Sequence, residues 1–191
     1  MIIDAHTHFY PTEISKNIDT WATQHNEKYW LTLVGKRPDG KLSLQGFPSE
    51  KKFLSDMDEA QVERAIIQGW YWENPDTCEE VIKATVDAGL VSIPGALTPT
   101  EIAQAHRFGA DFVKVFPANR MGPGYIKDVA APLSHVRMLA VGGVDGNTVR
   151  DYLSAGAVGA GVASCLFKKD WVKNGEWERI TQASLDFTAL L

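Results

Sequence analysis

The chain has two cysteines, Cys78 and Cys165, in 191 residues. That is too few for a disulfide framework, and reduced thiols are expected. It lacks a basic excess: 19 Lys and Arg face 24 Asp and Glu, a net charge of -5. No nucleic-acid footprint is therefore expected. It also lacks any apolar run near the ~18 residues that a membrane span needs. The start, MIIDAHTH, carries an acid at Asp4 and has neither a basic nor a long apolar region. No secretory leader is expected, and the expected location is the cytoplasm. Low-complexity linkers are absent too. What is there, 45% apolar and 23% charged residues, suits one ordinary domain over residues 1–191. The acidic excess lies wholly in residues 1–83, while 84–191 are balanced.

Short β-branched runs alternate with helical patterns, which predicts βαβ units and a parallel sheet. Strands are expected at Met1–Ala5, Arg64–Gln68, Val91–Ile93, Asp111–Phe116, Leu139–Gly142 and Val158–Val162. Helices are expected near 19–25, from the cap Ser49, over 76–88, from the cap Thr98 with Pro99 and Glu101 behind it, and around 125–129, 148–154 and 177–190. The polar turn 35–40 between Leu31–Val34 and Leu42–Gln45 reads as a hairpin inserted after the first strand. The fold expected is α/β, a TIM-barrel-like (β/α) arrangement of parallel strands with six units. An eight-fold barrel typically needs about 250 residues. Ligands in such folds bind beyond the carboxyl ends of the strands. Attention therefore falls on His6 and His8, 69–73, Pro94, Phe116, Gly142-Gly143 and Ser164.

Lys114 stands in the apolar run Phe112-Val-Lys-Val-Phe116. Alternation puts Phe112, Lys114 and Phe116 on one face. A buried ammonium is costly and tends to lose its proton, and a neutral amine is what a Schiff-base nucleophile needs. The same pattern also suits a lysine paired with a buried carboxylate. Gly142-Gly143 allows close backbone approach ahead of a helix, a natural anion site, and equally suits a tight turn. His6 and His8, two apart at a strand end, project to one side with Asp4. Paired imidazoles suit zinc or a similar metal.

Residues 79–191 resemble the 2-keto-3-deoxy-6-phosphogluconate / 2-keto-4-hydroxyglutarate aldolase family. The resemblance rests on IPGALTPTEI (93–102), GADFVKVFPA (109–118), GPGYIKDVAAPL (122–133), AVGGVDGNTVRDYLSAGA (140–157) and ASCLF (163–167). It implies a (β/α) barrel and cofactor-free Schiff-base lyase chemistry on a small 2-keto acid, phosphorylated or not. Lys114 matches the imine-forming lysine. Gly142, Gly143 and Ser164 match phosphate-binding positions, and Pro94 and Phe116 match pocket residues. Residues 1–80 resemble a second family, the amidohydrolase-2 metal-dependent hydrolases, through IIDAHTHFYP (2–11), LSDMDEAQVERAII (54–67) and QGWYWENPDTCEE (68–80). That resemblance implies that His6 and His8 are two ligands of an incomplete metal site, so the alternatives to the lyase are a metal-dependent hydrolase or decarboxylase and a non-catalytic recombinant barrel.

The expectation from both is a chimera joined near 79–82, with segments 1–80 and 81–191. Such a joint removes the aldolase family's general acid/base glutamate and its phosphate-binding arginine. Glu73 is the candidate stand-in, and it also suits a solvated position beside Trp70, Tyr71 and Trp72. A six-stranded sheet leaves edges open, and the aldolase family forms trimers. A homo-oligomer, trimer or dimer, is therefore expected.

Overall fold

The computed structural model describes residues 3–7, 10, 12–35, 48–67, 74–87 and 89–191. These residues separate into two compact units. The first comprises Met1–Gly95 and Arg107–Asp111, the second Ala96–His106 and Phe112–Leu191.

In the first unit, β1 (Ile3–Thr7) pairs in parallel with β2 (Arg64–Ile67), with Ile3 opposite Arg64 and Asp4 opposite Ala65. Between the strands run α1 (Thr12–Lys16), α2 (Ile18–Gln24), α3 (Lys28–Val34) and α4 (Glu50–Glu59). After β2 comes α5 (Pro75–Asp87). The first three helices close a small core of Tyr10, Ile14, Ala22, Trp30 and Val34. The Trp30 indole donates to the Tyr10 hydroxyl at 3.4 Å. Glu27 is fully buried behind them, and its Oε1 accepts from the Asn74 amide at 3.0 Å. The expected hairpin is corrected here: Leu31–Val34 belong to α3, and 36–47 lie outside the described residues. The physical reason is spacing. Trp30 and Val34, four apart, both face the core, and α3 stacks them on one side one turn apart. Helix α4 starts at the expected cap, where the Lys52 amide donates to Ser49 Oγ.

The second unit is built on a parallel sheet ordered β3-β4-β5-β6. Its strands are β3 (Gly95–Ala96), β4 (Val113–Val115), β5 (Met138–Val141) and β6 (Gly159–Gly161). Register is direct: Lys114 lies opposite Leu139, and Ala140 opposite Ala160. The helices are α6 (Pro99–Arg107), α7 (Ala118–Ala130), α8 (Val149–Ser154), α9 (Lys169–Lys173) and α10 (Trp177–Thr188). Val113, Val115, Met138 and Ala140 are fully buried, so the two central strands carry the core. Each buried valine contributes roughly 1.5–3 kcal/mol.

Three local outcomes differ from the sequence-based expectation. The third strand is Gly95–Ala96, not Val91–Ile93; Val91 is exposed and Ser92 instead pairs with Asp111 through backbone and carboxylate. Helix α7 starts at Ala118 instead of near Tyr125, and is kinked where Gly122 takes φ 75° ahead of Pro123. Helix α9 has no counterpart among the expected elements. The pairings β1-β2, β4-β5 and β5-β6 are parallel, in line with the α/β expectation, and the described strands fall in two sheets of two and four. No described helix is long and apolar enough to cross a membrane.

Candidate active site

Parallel strands align their carboxyl ends, and β4 with its neighbours brings the site residues of the second unit to one edge. Lys114 is the middle residue of β4 and only 6% exposed. Its Nζ lies 5.4 Å from the centroid of the Phe116 ring, as alternation along the strand requires. Burial pulls its pKa below the ordinary lysine value. The amine therefore sheds its proton more readily than a surface lysine does.

Phe116 follows β4 and is joined to Pro117 by a cis peptide bond. Its amide donates to the Ala96 carbonyl at 3.2 Å, which holds the end of β4 against β3. Across from the ring is Gly142, the first residue after β5, at φ 98°. A methyl group there would meet two Phe116 ring carbons at 2.8 Å. The missing side chain is what lets the ring lie against the loop. Gly143, at φ 69°, is covered in the same way by Asn119. The Asn119 amide donates to the Gly142 carbonyl at 3.0 Å. Ser164 is exposed in the turn after β6. The next residue, Cys165, reaches the Val144 carbonyl at 3.8 Å, so this turn runs beside the Gly142-Gly143 loop.

The helix expected around 148–154, behind the glycines, forms as α8 from Val149. Asp145 Oδ1 accepts from the amides of Asn147 and Thr148 at 3.0 and 3.1 Å, and from the Thr148 hydroxyl at 3.0 Å. The Asp145 carboxylate thus satisfies two of the amides ahead of α8. The Thr98-Glu101 capping box does form. Glu101 Oε2 accepts from Leu97 and Thr98 amides at 2.9 and 2.8 Å, and Thr98 Oγ1 accepts from the Glu101 amide at 3.3 Å. Burial opposes the Glu101 charge, but the bonds from Thr98 and Leu97 outweigh it and hold the carboxyl below its usual range. The Tyr125 hydroxyl donates to the Leu97 carbonyl beside this box.

The structure brings together Lys114, Phe116, Gly142, Gly143 and, alongside them, the Ser164 turn. Pro94 is buried and belongs to the first unit, next to β3 in sequence. His6 is on β1, while His8 and Glu73 lie outside the described residues. The other histidines are placed elsewhere. His25 stacks on Trp21 with centroids 4.2 Å apart, and His106 meets His135 edge-on at 4.9 Å. Among the described residues, no group of three or more His, Cys, Asp or Glu side chains could hold a metal ion. Sequence reasoning missed Asn119. Its only signal is a polar residue directly behind the Phe-Pro-Ala turn.

A family described as "Aldolase: KDPG and KHG aldolase" matches residues 56–183. The chain belongs to the KDPG and KHG aldolase family. This match passes through the junction expected near 79–82 and takes in residues 56–80, which hold most of two of the three hydrolase-like motifs. The comparisons support neither a hydrolase segment nor a chimera. A curated relative is 2-dehydro-3-deoxy-6-phosphogalactonate aldolase of Escherichia coli (strain K12). It is 39% identical over 95 residues, 49% of this chain and 46% of the relative. The chain spans about half the length of the curated relatives it matches first. A solved structure described as "Native KDPGal structure" matches all of this chain and 94% of its own, with TM-score 0.62 and 22% identity. The KDPG aldolase from Legionella pneumophila, solved with pyruvate captured as a covalent carbinolamine, matches 68% of this chain and 60% of its own. Its TM-score is 0.51 at 23% identity. Both structural matches speak for a KDPG-aldolase, TIM-barrel-like fold.

Proposed function

We propose that this chain is a class I lyase that cleaves 2-keto-3-deoxy sugar acids carrying a phosphate, with pyruvate as the retained fragment. The observation that carries the reading is Lys114, an amine buried in the middle of a central strand with its pKa lowered by that burial. In a related structure pyruvate is captured covalently, and a relative is named for a phosphorylated 2-keto-3-deoxy acid.

The neutral Lys114 amine attacks the substrate ketone at C2. The carbinolamine so formed loses water to give a protonated imine. A base takes the C4 hydroxyl proton, the C3–C4 bond breaks, and its electron pair enters the imine to give an enamine. The C4 fragment leaves as an aldehyde. Protonation of the enamine at C3 and addition of water release pyruvate and restore the amine. Atoms and electrons balance in these steps without an oxidant or reductant. Phe116 walls the amine, while Gly142, Gly143 and Ser164 line the place for the distal phosphate. Glu73 is the proposed proton carrier. Proton transfer by a placed group contributes roughly 10²–10⁴-fold.

Borohydride reduction in the presence of pyruvate tests this reading. One covalent adduct on Lys114 is expected by mass spectrometry, absent from Lys114→Ala. No adduct, or one that survives that substitution, defeats the proposal. Glu73→Gln is expected to keep the adduct and lose turnover.

A further inference from the structure

The side chain of Asn119 lies against Gly143, beside the proposed substrate site. Its main chain is fixed, since its amide donates to the Gly142 carbonyl at 3.0 Å. Its side chain is held against Gly143, where an added methyl group would sit 2.4 Å from Asn119 Nδ2 and 2.5 Å from Cγ. Neighbouring Ala118 is anchored as well, because its carbonyl accepts from the buried Tyr152 hydroxyl at 3.0 Å. The start of α7 is thereby pinned to the Gly142-Gly143 loop and to α8. Yet Asn119 is exposed, and among the described residues no hydrogen bond holds its carboxamide. A solvent-facing amide on a fixed stretch of main chain, with both a donor and an acceptor to spare, suits a recognition group. Lys114, the Phe116 ring, Gly142, Gly143 and Asn119 form one continuous series of contacts.

We infer that Asn119 is a specificity-determining residue: its carboxamide hydrogen-bonds the phosphate end, or the hydroxyl next to it, of a substrate whose ketone is at Lys114. The inference rests on the proposed lyase reading. It adds a neutral donor to the two glycines and Ser164. It assigns Asn119 to the distal half of the ligand, away from the carbon that reacts. Pyruvate, which has no distal half, should not feel the residue.

The experiment compares wild type, Asn119→Ala and Asn119→Asp in two assays. The first is borohydride trapping with pyruvate. The second is steady-state cleavage of a phosphorylated 2-keto-3-deoxy sugar acid. Asn119→Asp keeps the shape of the side chain and reverses its character, so it remains informative if the alanine variant folds poorly. Expected are trapping rates within twofold of wild type for both variants, KM raised about tenfold in Asn119→Ala and more in Asn119→Asp, and kcat within about threefold. Inorganic phosphate should inhibit cleavage by the variants less than it inhibits wild type. A KM within twofold of wild type in both variants overturns the inference while trapping stands. Equal loss of trapping and cleavage also overturns it, since Asn119 would then serve only the loop's structure. If wild type itself gives no adduct, the lyase reading fails instead.

Discussion

Gly142→Ala probes the contact on which the site depends. Gly142 sits at φ 98°, a backbone region that alanine enters only under strain. A left-handed backbone costs a non-glycine residue about 1–2 kcal/mol. The new methyl group would also stand 2.8 Å from Phe116 Cδ2 and Cε2, and 3.3 Å from Pro117 Cα. The ring must move, and overpacking of this kind costs about 1–3 kcal/mol. Strain and displacement act together, so a loss of about 2–5 kcal/mol is expected, or roughly 5–20 °C in Tm for a chain of this size. Thermal unfolding followed by circular dichroism reads it. Gly124→Ala is the control, since a methyl group there meets nothing within 4 Å. The displaced ring also lies beside Lys114, so Gly142→Ala should slow pyruvate trapping several-fold. A Tm within 2 °C of wild type would show that the loop does not rest on the ring, and the proposed site geometry would fail with it.

Other outcomes follow from the buried amine, the capping box and the cofactor-free reading. Burial lowers the Lys114 pKa, so the rate of pyruvate trapping should rise with pH and level off below the ordinary lysine value of 10.5; a profile still climbing there contradicts a buried amine. The matching stability sign is a penalty: folding favours the neutral amine, stability falls as pH drops through the ordinary value toward the lowered pKa, and Lys114→Met removes that dependence in urea titrations across pH. Thr98→Ala removes the cap on α6 and should cost about 1 kcal/mol, while Glu101→Gln should flatten the acid side of the stability curve. The Glu101 carboxyl is held below its usual 4.5, so its contribution is present above that pH and lost as pH falls through the lowered value. Chelator treatment should leave pyruvate trapping unchanged, and a loss restored by zinc would implicate a metal in the chemistry.

Much of the second unit is legible in the sequence because its signals are local and repeat one another. The run 112–116 alternates as a strand must, and its single lysine has no apolar role to play, so Lys114 stands out from the run itself. The Thr98-Pro99-x-Glu101 pattern specifies its own hydrogen bonds, and they form. The first unit is less legible because tertiary contacts decide it. Leu31–Val34 has the composition of a strand, but Trp30 needs the pocket made by Tyr10 and Ala22, and a helix delivers it there. Residues 91–93 likewise look like a strand. Asp111, nineteen residues on, claims the Ser92 amide, and the strand forms instead at Gly95–Ala96.

The anion site shows how that same competition alters chemistry. Glycines before a helix suggest free amides, but Asp145 takes the Asn147 and Thr148 amides for its own cap. Against the glycines themselves lie the Phe116 ring and the Asn119 side chain, and Cys165, next to Ser164, reaches the Val144 carbonyl. Neutral hydrogen bonds contribute about 0.5–1.5 kcal/mol each, and charge-assisted ones about twice that. In the proposed reading the substrate's phosphate is the ionised partner, so neutral donors there would make charge-assisted bonds of the stronger kind. On that proposal Asn119, the residue that lies against Gly143, counts for more than its lack of charge suggests.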